Sequence, residues 1–439
     1  MRDLFTALPD DPAPPLADGY LDRVLVRGRR SVRRRRIGTA AAWTAVVLAF
    51  AALLVPVVPQ AERPAAPARR PSVPDHFAGY STLTSTVERS APGRAIAMYT
   101  YGNGELFNMF QPLVVGADKD TYRRVGAVEE RDKPQSLLSP DGTRVLVGER
   151  RGETTDLLLV DLTTGDRRSI DLGASFEVRL LAWSPDGRYV ALGAAVTDPS
   201  QGQPDSAEYD ALRHGTLRLL DLSTGRSTAV PSVRSPFAAA FAPDGARVAV
   251  QSAQEVHLLD LLGTEQAVVP VGAGRGLVAR AGWSADGRFL ATVPWDGTAV
   301  EDGTFLTENA QVTFVPIAAG TPAPPPVADV VRLLGWRDPD HMIAATADAQ
   351  GRLSLNELTL SSGDRRVLSR FDTGMTCEFH LQHCQVTDLQ LATGLLADLG
   401  TRAAESADHG PWPWALRAVA ALPLAGLVLL YFLLRRRRS

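Results

Sequence analysis

The sequence predicts an all-β repeat fold, a six-bladed β-propeller flanked by two transmembrane α-helices. Three observations predict it. An uncharged apolar stretch lies near each end of the 439-residue chain, each beside a run of arginine. Between them a Pro-Asp-Gly turn recurs, and a second turn ending in Gly follows most copies. Whole-chain averages conceal this: 46 Lys+Arg against 49 Asp+Glu give a net charge of −3. Hydrophobic residues make up 45% and charged residues 22%, which excludes wholesale disorder. Two Cys cannot build a disulfide framework or a Cys₄ zinc site.

Residues 1–36 form a basic tail with nine Arg and five Asp. Leu16, Tyr20, Leu21, Val24 and Leu25 share one helical face there, suited to an anionic inner leaflet or a cytoplasmic partner of residues 1–30. Ile37–Ala61 carries no charge, and a span is placed at 37–58. Its flank, Arg29 to Arg36, predicts a cytoplasmic N-terminus. A basic region this long, with a poor cleavage site at Val58-Pro59-Gln60-Ala61, favours a retained anchor over a signal peptide. A Pro-rich linker follows over 59–76. At the other end come a linker at 401–412, a second span at 413–434 and the basic tail 435–439. Pro423 kinks that span, and Trp412 and Trp414 anchor its outer end. The predicted topology is in–out–in, at the cell membrane. The outer part then counts 32 basic against 44 acidic residues, a net of −12 between basic ends. That charge disfavours nucleic acid as a partner.

The repeat occupies 77–400. Leu138-Ser139-Pro140-Asp141-Gly142 returns as Trp183-Ser184-Pro185-Asp186-Gly187, Phe241-Ala242-Pro243-Asp244-Gly245 and Trp283-Ser284-Ala285-Asp286-Gly287. Trp336-Arg337-Asp338-Pro339-Asp340 is a worn copy. An apolar strand follows each, as in Tyr189-Val190-Ala191-Leu192. Pro presets φ, Asp bonds nearby backbone and Gly takes the left-handed position. The second mark is Asp161-Leu-Thr-Thr-Gly165, Asp221-Leu-Ser-Thr-Gly225, Asp260-Leu-Leu-Gly263 and Leu358-Thr-Leu-Ser-Ser-Gly363. Two hairpins make four strands per unit, a through d.

The unit Trp-Ser-Pro-Asp-Gly-Arg with an apolar strand resembles the WD-like propeller repeat of the TolB type, over about 300 residues. Departures are Leu138 for the aromatic, Ala285 for Pro, and the worn fifth copy. A further unit is expected at 80–127, with Ser90 to Arg94 as its turn and Ala95–Tyr101 as strand b. Blades are placed near 80–127, 133–173, 175–231, 232–271, 276–322 and 327–371; five and seven are the alternative counts. Residues 375–400 either add a strand to the first blade or cover it as a helix-containing tail.

Trp183, Phe241, Trp283 and Trp336 share one repeat position and are expected to pack between blades. Strand a lines the channel, and Arg179, Arg280 and Arg332 precede its aromatics. They are the candidate ligand-binding residues, because guanidinium forks bind carboxylates bidentately. Two long b–c insertions hold the acidic residues Asp198, Asp205, Glu208, Asp210, Asp296, Glu301, Asp302 and Glu308. Their spacing matches no calcium loop, so solvated acidic loops are expected there. Cys377 and Cys384 are read as one disulfide across a short hairpin, with a zinc or copper site including His380 and His383 as the alternative. No catalytic residue, metal or cofactor is assigned, since no enzyme motif occurs. The expected function is a membrane-anchored extracytoplasmic module binding a protein, peptide or glycan, coupling to the cytoplasm as sensor or scaffold. A propeller hydrolase or lyase, metal-assisted at the channel mouth, is the alternative.

Overall fold

The computed structural model describes residues 70–78, 84–102, 111–129, 134–149, 153–196, 214–295, 310–350, 352–371 and 385–411, with positions 426, 431 and 434–436. The chain divides into two compact units, Ala66–Trp412, and Met1–Ala65 with Pro413–Ser439. Apart from those last few positions, both predicted spans and both tails lie outside the described residues. Among the described residues, no helix is long and apolar enough to cross a membrane.

The first compact unit is all-β apart from single helical turns. Two short strands, β1 (Ser72–Pro74) and β2 (His76–Phe77), precede β3 (Ala95–Gly102), β4 (Gln111–Gly116) and β5 (Tyr122–Arg124). Next come β6 (Pro134–Leu138), β7 (Arg144–Glu149), β8 (Thr154–Asp161) and the long β9 (Arg167–Trp183). β10 (Tyr189–Ala195), β11 (Thr216–Asp221) and β12 (Arg226–Arg234) complete that sheet. β13 (Pro236–Phe241), β14 (Arg247–Ser252), β15 (Glu255–Asp260) and β16 (Glu265–Pro270) make a four-stranded sheet. So do β17 (Arg275–Leu277), β18 (Phe289–Pro294), β19 (Ala310–Pro316) and β20 (Val327–Val330). β21 (Arg332–Asp338), β22 (His341–Ala347), β23 (Leu353–Thr359) and β24 (Arg365–Phe371) form a five-stranded sheet with β2. Last are β25 (Gln385–Leu391) and β26 (Gly400–Arg402).

These sheets form a propeller-like arrangement, and the expectation of six separate blade sheets needs correcting. Four sheets, of four or five strands, have the form of single blades. The units expected at 133–173 and 175–231 are instead one seven-stranded sheet. The cause is β9: its first half pairs with β8 and its second half with β10, and the strand runs on through a bulge at Gly173 (φ 78°), where the register against β8 jumps from Asp171 to Phe176.

Burial follows position in each meander. The second strands β7, β10, β14 and β22 are buried along nearly their whole length. Neighbouring sheets cover both their faces, so they read as unbroken apolar runs rather than alternating ones. The outer β12 and β16 are mostly exposed. Among the described residues, apolar clusters fill the gaps between neighbouring sheets, as between Met98 and Val145 and between Ile343 and Ile96.

The turns work as the motif predicts, and Ser has a part as well. Asp141 Oδ1 accepts from Thr143 N at 3.0 Å and from Ser139 Oγ at 2.5 Å, while Arg144 N donates to Ser139 Oγ. Ser184–Asp186 and Ser284–Asp286 repeat the Ser–Asp bond. Gly142, Gly187, Gly245 and Gly287 have φ of 71, 70, 69 and 69°. In the worn copy, Asp338 pairs directly with His341 across a tighter hairpin.

Of the two alternatives for 375–400, the added strand is the one seen, over the described residues from 385. β25 adds the innermost strand to the sheet β25-β3-β4-β5, and a 3₁₀ helix at Thr393–Asp398 follows it. Then β26 pairs in parallel with β1. Arg402 fastens this junction, donating to Asp120 and to the carbonyls of Ser72 and Gly116.

Candidate functional site

The innermost strands bring the three predicted arginines into one neighbourhood, and a fourth residue joins them. Arg280 Nη1 lies 2.8 Å from Asp388 Oδ1, and Arg332 Nη2 lies 3.5 Å from the same oxygen. Gln390 Nε2 donates to Asp388 Oδ2 at 2.8 Å. Gln390 also ties this strand to the next meander, accepting from Leu138 N and donating to Ser136 O. Arg179 is 8% exposed on β9, and its charge reaches Arg332.

Arg280 stands three residues before Trp283, whereas Arg179 and Arg332 stand four before their Trp. The backbone makes up the difference. Strand β17 ends at Leu277, Arg280 N donates to Ala239 O, and Arg280 adopts φ 68°. Asp388 is also left-handed, at φ 49°, inside a bulge where the β25–β3 register shifts between Thr387 and Gln390. Bulges re-aim a side chain out of strand register. Left-handed non-Gly backbone costs about 1–3 kcal/mol per residue and concentrates at ligand sites. Among the described residues, two of the five such residues are paired to each other.

Burial, then the like charge of Arg280, pulls the Arg332 guanidinium down to about 10, with Arg179 adding to the effect against Asp388. Arg280 and Arg332 line a cavity of about 40 Å³ together with Trp183, Leu334, Gln390 and Thr393. At about 10–15 Å³ per water, that is room for roughly three waters or one carboxylate group, and none for a sugar ring.

The shared aromatics are engaged elsewhere. Trp283 Nε1 donates to Ala240 O at 2.8 Å and Trp336 Nε1 to Ala281 O at 3.0 Å, each stitching one meander to the preceding one. Arg144 and Arg247 stack over Trp183 and Trp283. Trp183 Nε1 is buried and makes no such bond. Trp283 is buried between sheets, Trp183 borders the small cavity and Trp336 is half-buried.

Asp388 is the residue that sequence reasoning missed. Its signal was Asp388-Leu389 standing where Arg179-Leu180 and Arg332-Leu333 stand, legible only once β25 is read as a strand a. The acidic residues Asp198, Asp205, Glu208, Asp210, Asp296, Glu301, Asp302 and Glu308 lie outside the described residues, as do Cys377, His380, His383 and Cys384. Among the described residues, no group of three or more His, Cys, Asp or Glu is placed to hold a metal ion.

No protein-family model matches the sequence, and no curated protein matches it. Solved structures do. TolB from Acinetobacter baumannii is 17% identical over 68% of this chain and 67% of its own, with a TM-score of 0.44. A TolB-type protein of Agrobacterium tumefaciens is 14% identical over 63% and 90%, with a TM-score of 0.39. An oligogalacturonate lyase from Vibrio parahaemolyticus is 12% identical over 70% and 81%, with a TM-score of 0.37. TolB proteins are thus among the structures this chain is similar to. Likenesses this remote carry no functional weight, and the site's own geometry carries the reading below.

Proposed function

We propose that the chain is a membrane-anchored extracytoplasmic binding module, a six-bladed propeller that takes a carboxylate of its ligand at Arg280 and Arg332. The observation that carries this is the convergence of two guanidinium groups, from different sheets, on one carboxylate beside a small cavity. Arg332 opens strand β21, and Arg280 is held in its turn by the bond from its N–H to Ala239 O, so part of the ordering cost is met before a ligand arrives. Two guanidinium groups beside a cavity of this size favour a small anion, and a carboxylate group fits it where a larger group does not.

Two further features support the architecture. The seven-stranded sheet counts as two blades fused through β9, and among the described residues apolar clusters separate the meanders. Charge segregation along the sequence, with −12 between basic ends, supports in–out–in anchoring. Coupling to the cytoplasm through residues 1–30 belongs to the same proposal.

Calorimetric titration of the purified full chain with acetate, methylammonium and glucose tests the ligand class. Acetate binding that disappears in Arg332→Met is expected; equal response to all three solutes contradicts it. Cys substitutions at Ser31 and Ser227 test the topology. They should label from opposite sides of the membrane, and same-side labelling sinks the anchoring model.

A further inference from the structure

Resting on the carboxylate reading of this site, we propose that Asp388 is its resident occupant, a built-in stand-in that an incoming carboxylate displaces, loosening the closing strand β25. The site is therefore regulated by its own counter-ion.

Four observations lead there. Asp388 occupies the acceptor place that a ligand carboxylate would take, with Oδ1 on Arg280 and Arg332 and Oδ2 on Gln390. It reaches that place only through a bulge and a left-handed backbone, so the ion pair holds the strand in a conformation it would otherwise leave. Strand β25 is an edge strand of its sheet, paired only with β3, so no second strand holds it in register. The cavity lies against the same two guanidinium groups, which gives a second carboxylate a place to enter before Asp388 departs.

The exchange is charge-neutral, one carboxylate for another, so the arginines never lose their counter-ion. That matters because like charges within the cluster already oppose one another. Gln390 extends the effect. It bonds Asp388 on one side and the backbone of Ser136 and Leu138 on the other, so movement of Asp388 bears directly on the contact that closes the ring. A purely structural ion pair would have the same contacts but a different response to ligand.

The experiment uses the full chain with acetate as probe. A self-occupied site binds with an affinity reduced by the fraction of molecules in which Asp388 has left. Asp388→Asn keeps the side-chain shape and an acceptor for Gln390 while removing the charge, and acetate should then bind about tenfold more tightly. In the unaltered chain, acetate should raise deuterium exchange at the amides of 385–391, a readout that does not depend on any variant folding. If Asp388→Asn binds acetate no better than the native chain, and exchange at 385–391 is unchanged, Asp388 is structural and the proposal is overturned. The carboxylate reading survives that result provided Arg332→Met still abolishes binding. If Arg280→Met and Arg332→Met both leave acetate binding intact, the two proposals fall together.

Discussion

Four glycines at one motif position form a natural substitution series. Gly142, Gly187, Gly245 and Gly287 share φ within 69–71°, so Ala at each meets the same backbone penalty. That penalty is about 1–2 kcal/mol, partly offset by about 0.4–1 kcal/mol from a stiffer unfolded chain. The surroundings differ. A Cβ at Gly245 meets nothing within 4 Å, and at Gly287 its nearest neighbour is Pro243 Cδ at 3.8 Å. At Gly187 it lies 2.7 Å from Arg144 Nη2, the movable end of a long side chain. At Gly142 it falls 2.0 Å from the backbone oxygen of Ala95, in the neighbouring sheet. Nothing there can rotate away, so the turn must withdraw and the Ala95 N to Gly142 O bond of 2.7 Å is lost. That bond is worth about 1 kcal/mol, and opening the packing around Ala95 and Ala392 adds about 1–2 kcal/mol. Gly245→Ala and Gly287→Ala should each cost about 1 kcal/mol, and Gly142→Ala about 3 kcal/mol. Urea unfolding followed by tryptophan fluorescence measures the set. Equal losses at Gly142 and Gly245 would refute the close approach of turn to neighbouring sheet.

Other outcomes follow from single contacts. Trp283→Phe should cost about 1 kcal/mol beyond lost area, by losing the indole bond to Ala240 O, whereas Trp183→Phe breaks no indole bond; thermal midpoints of the two variants would rank them. Arg402→Met leaves Asp120, whose side chain is 3% exposed, without its guanidinium partner, and should cost about 3–5 kcal/mol by denaturant midpoint. Acid should destabilise the fold in a definite window. Hydrogen bonding from Arg188 holds Asp221 far below its usual 3.8, and bonds from Ser139 and Thr143 outweigh burial to lower Asp141. A carboxyl with a lowered folded pKa stabilises the protein above 3.8 and loses that contribution as pH falls through the folded value. Denaturant midpoints should therefore stay level from neutral pH down to about 5, then fall steeply, and a loss already under way at neutral pH would contradict this.

Much of the fold was legible because its signals are local. Pro140-Asp141-Gly142 and its copies name their own hairpins, and Val190-Ala191-Leu192 reads as a strand buried on both faces. What was not legible depends on distance or on a missing signal. Strand β9 fuses two units because Gly173 makes a bulge where a repeat count assumes a turn. Asp388 pairs with Arg280 and Arg332 only after β25 has closed onto β3, nearly three hundred residues earlier in the chain. Arg280 looked out of phase by one residue until its left-handed backbone accounted for the offset. The arginine neighbourhood was readable from repeat phase, whereas its counter-ion was a product of ring closure.

The most direct test of the carboxylate site is the relaxation of carboxyl-¹³C acetate in the presence of the full chain. The account predicts faster relaxation with the native protein that unlabelled acetate competes away, and none with the Arg280→Met/Arg332→Met double variant. Equal enhancement by both proteins would place acetate elsewhere and contradict the account.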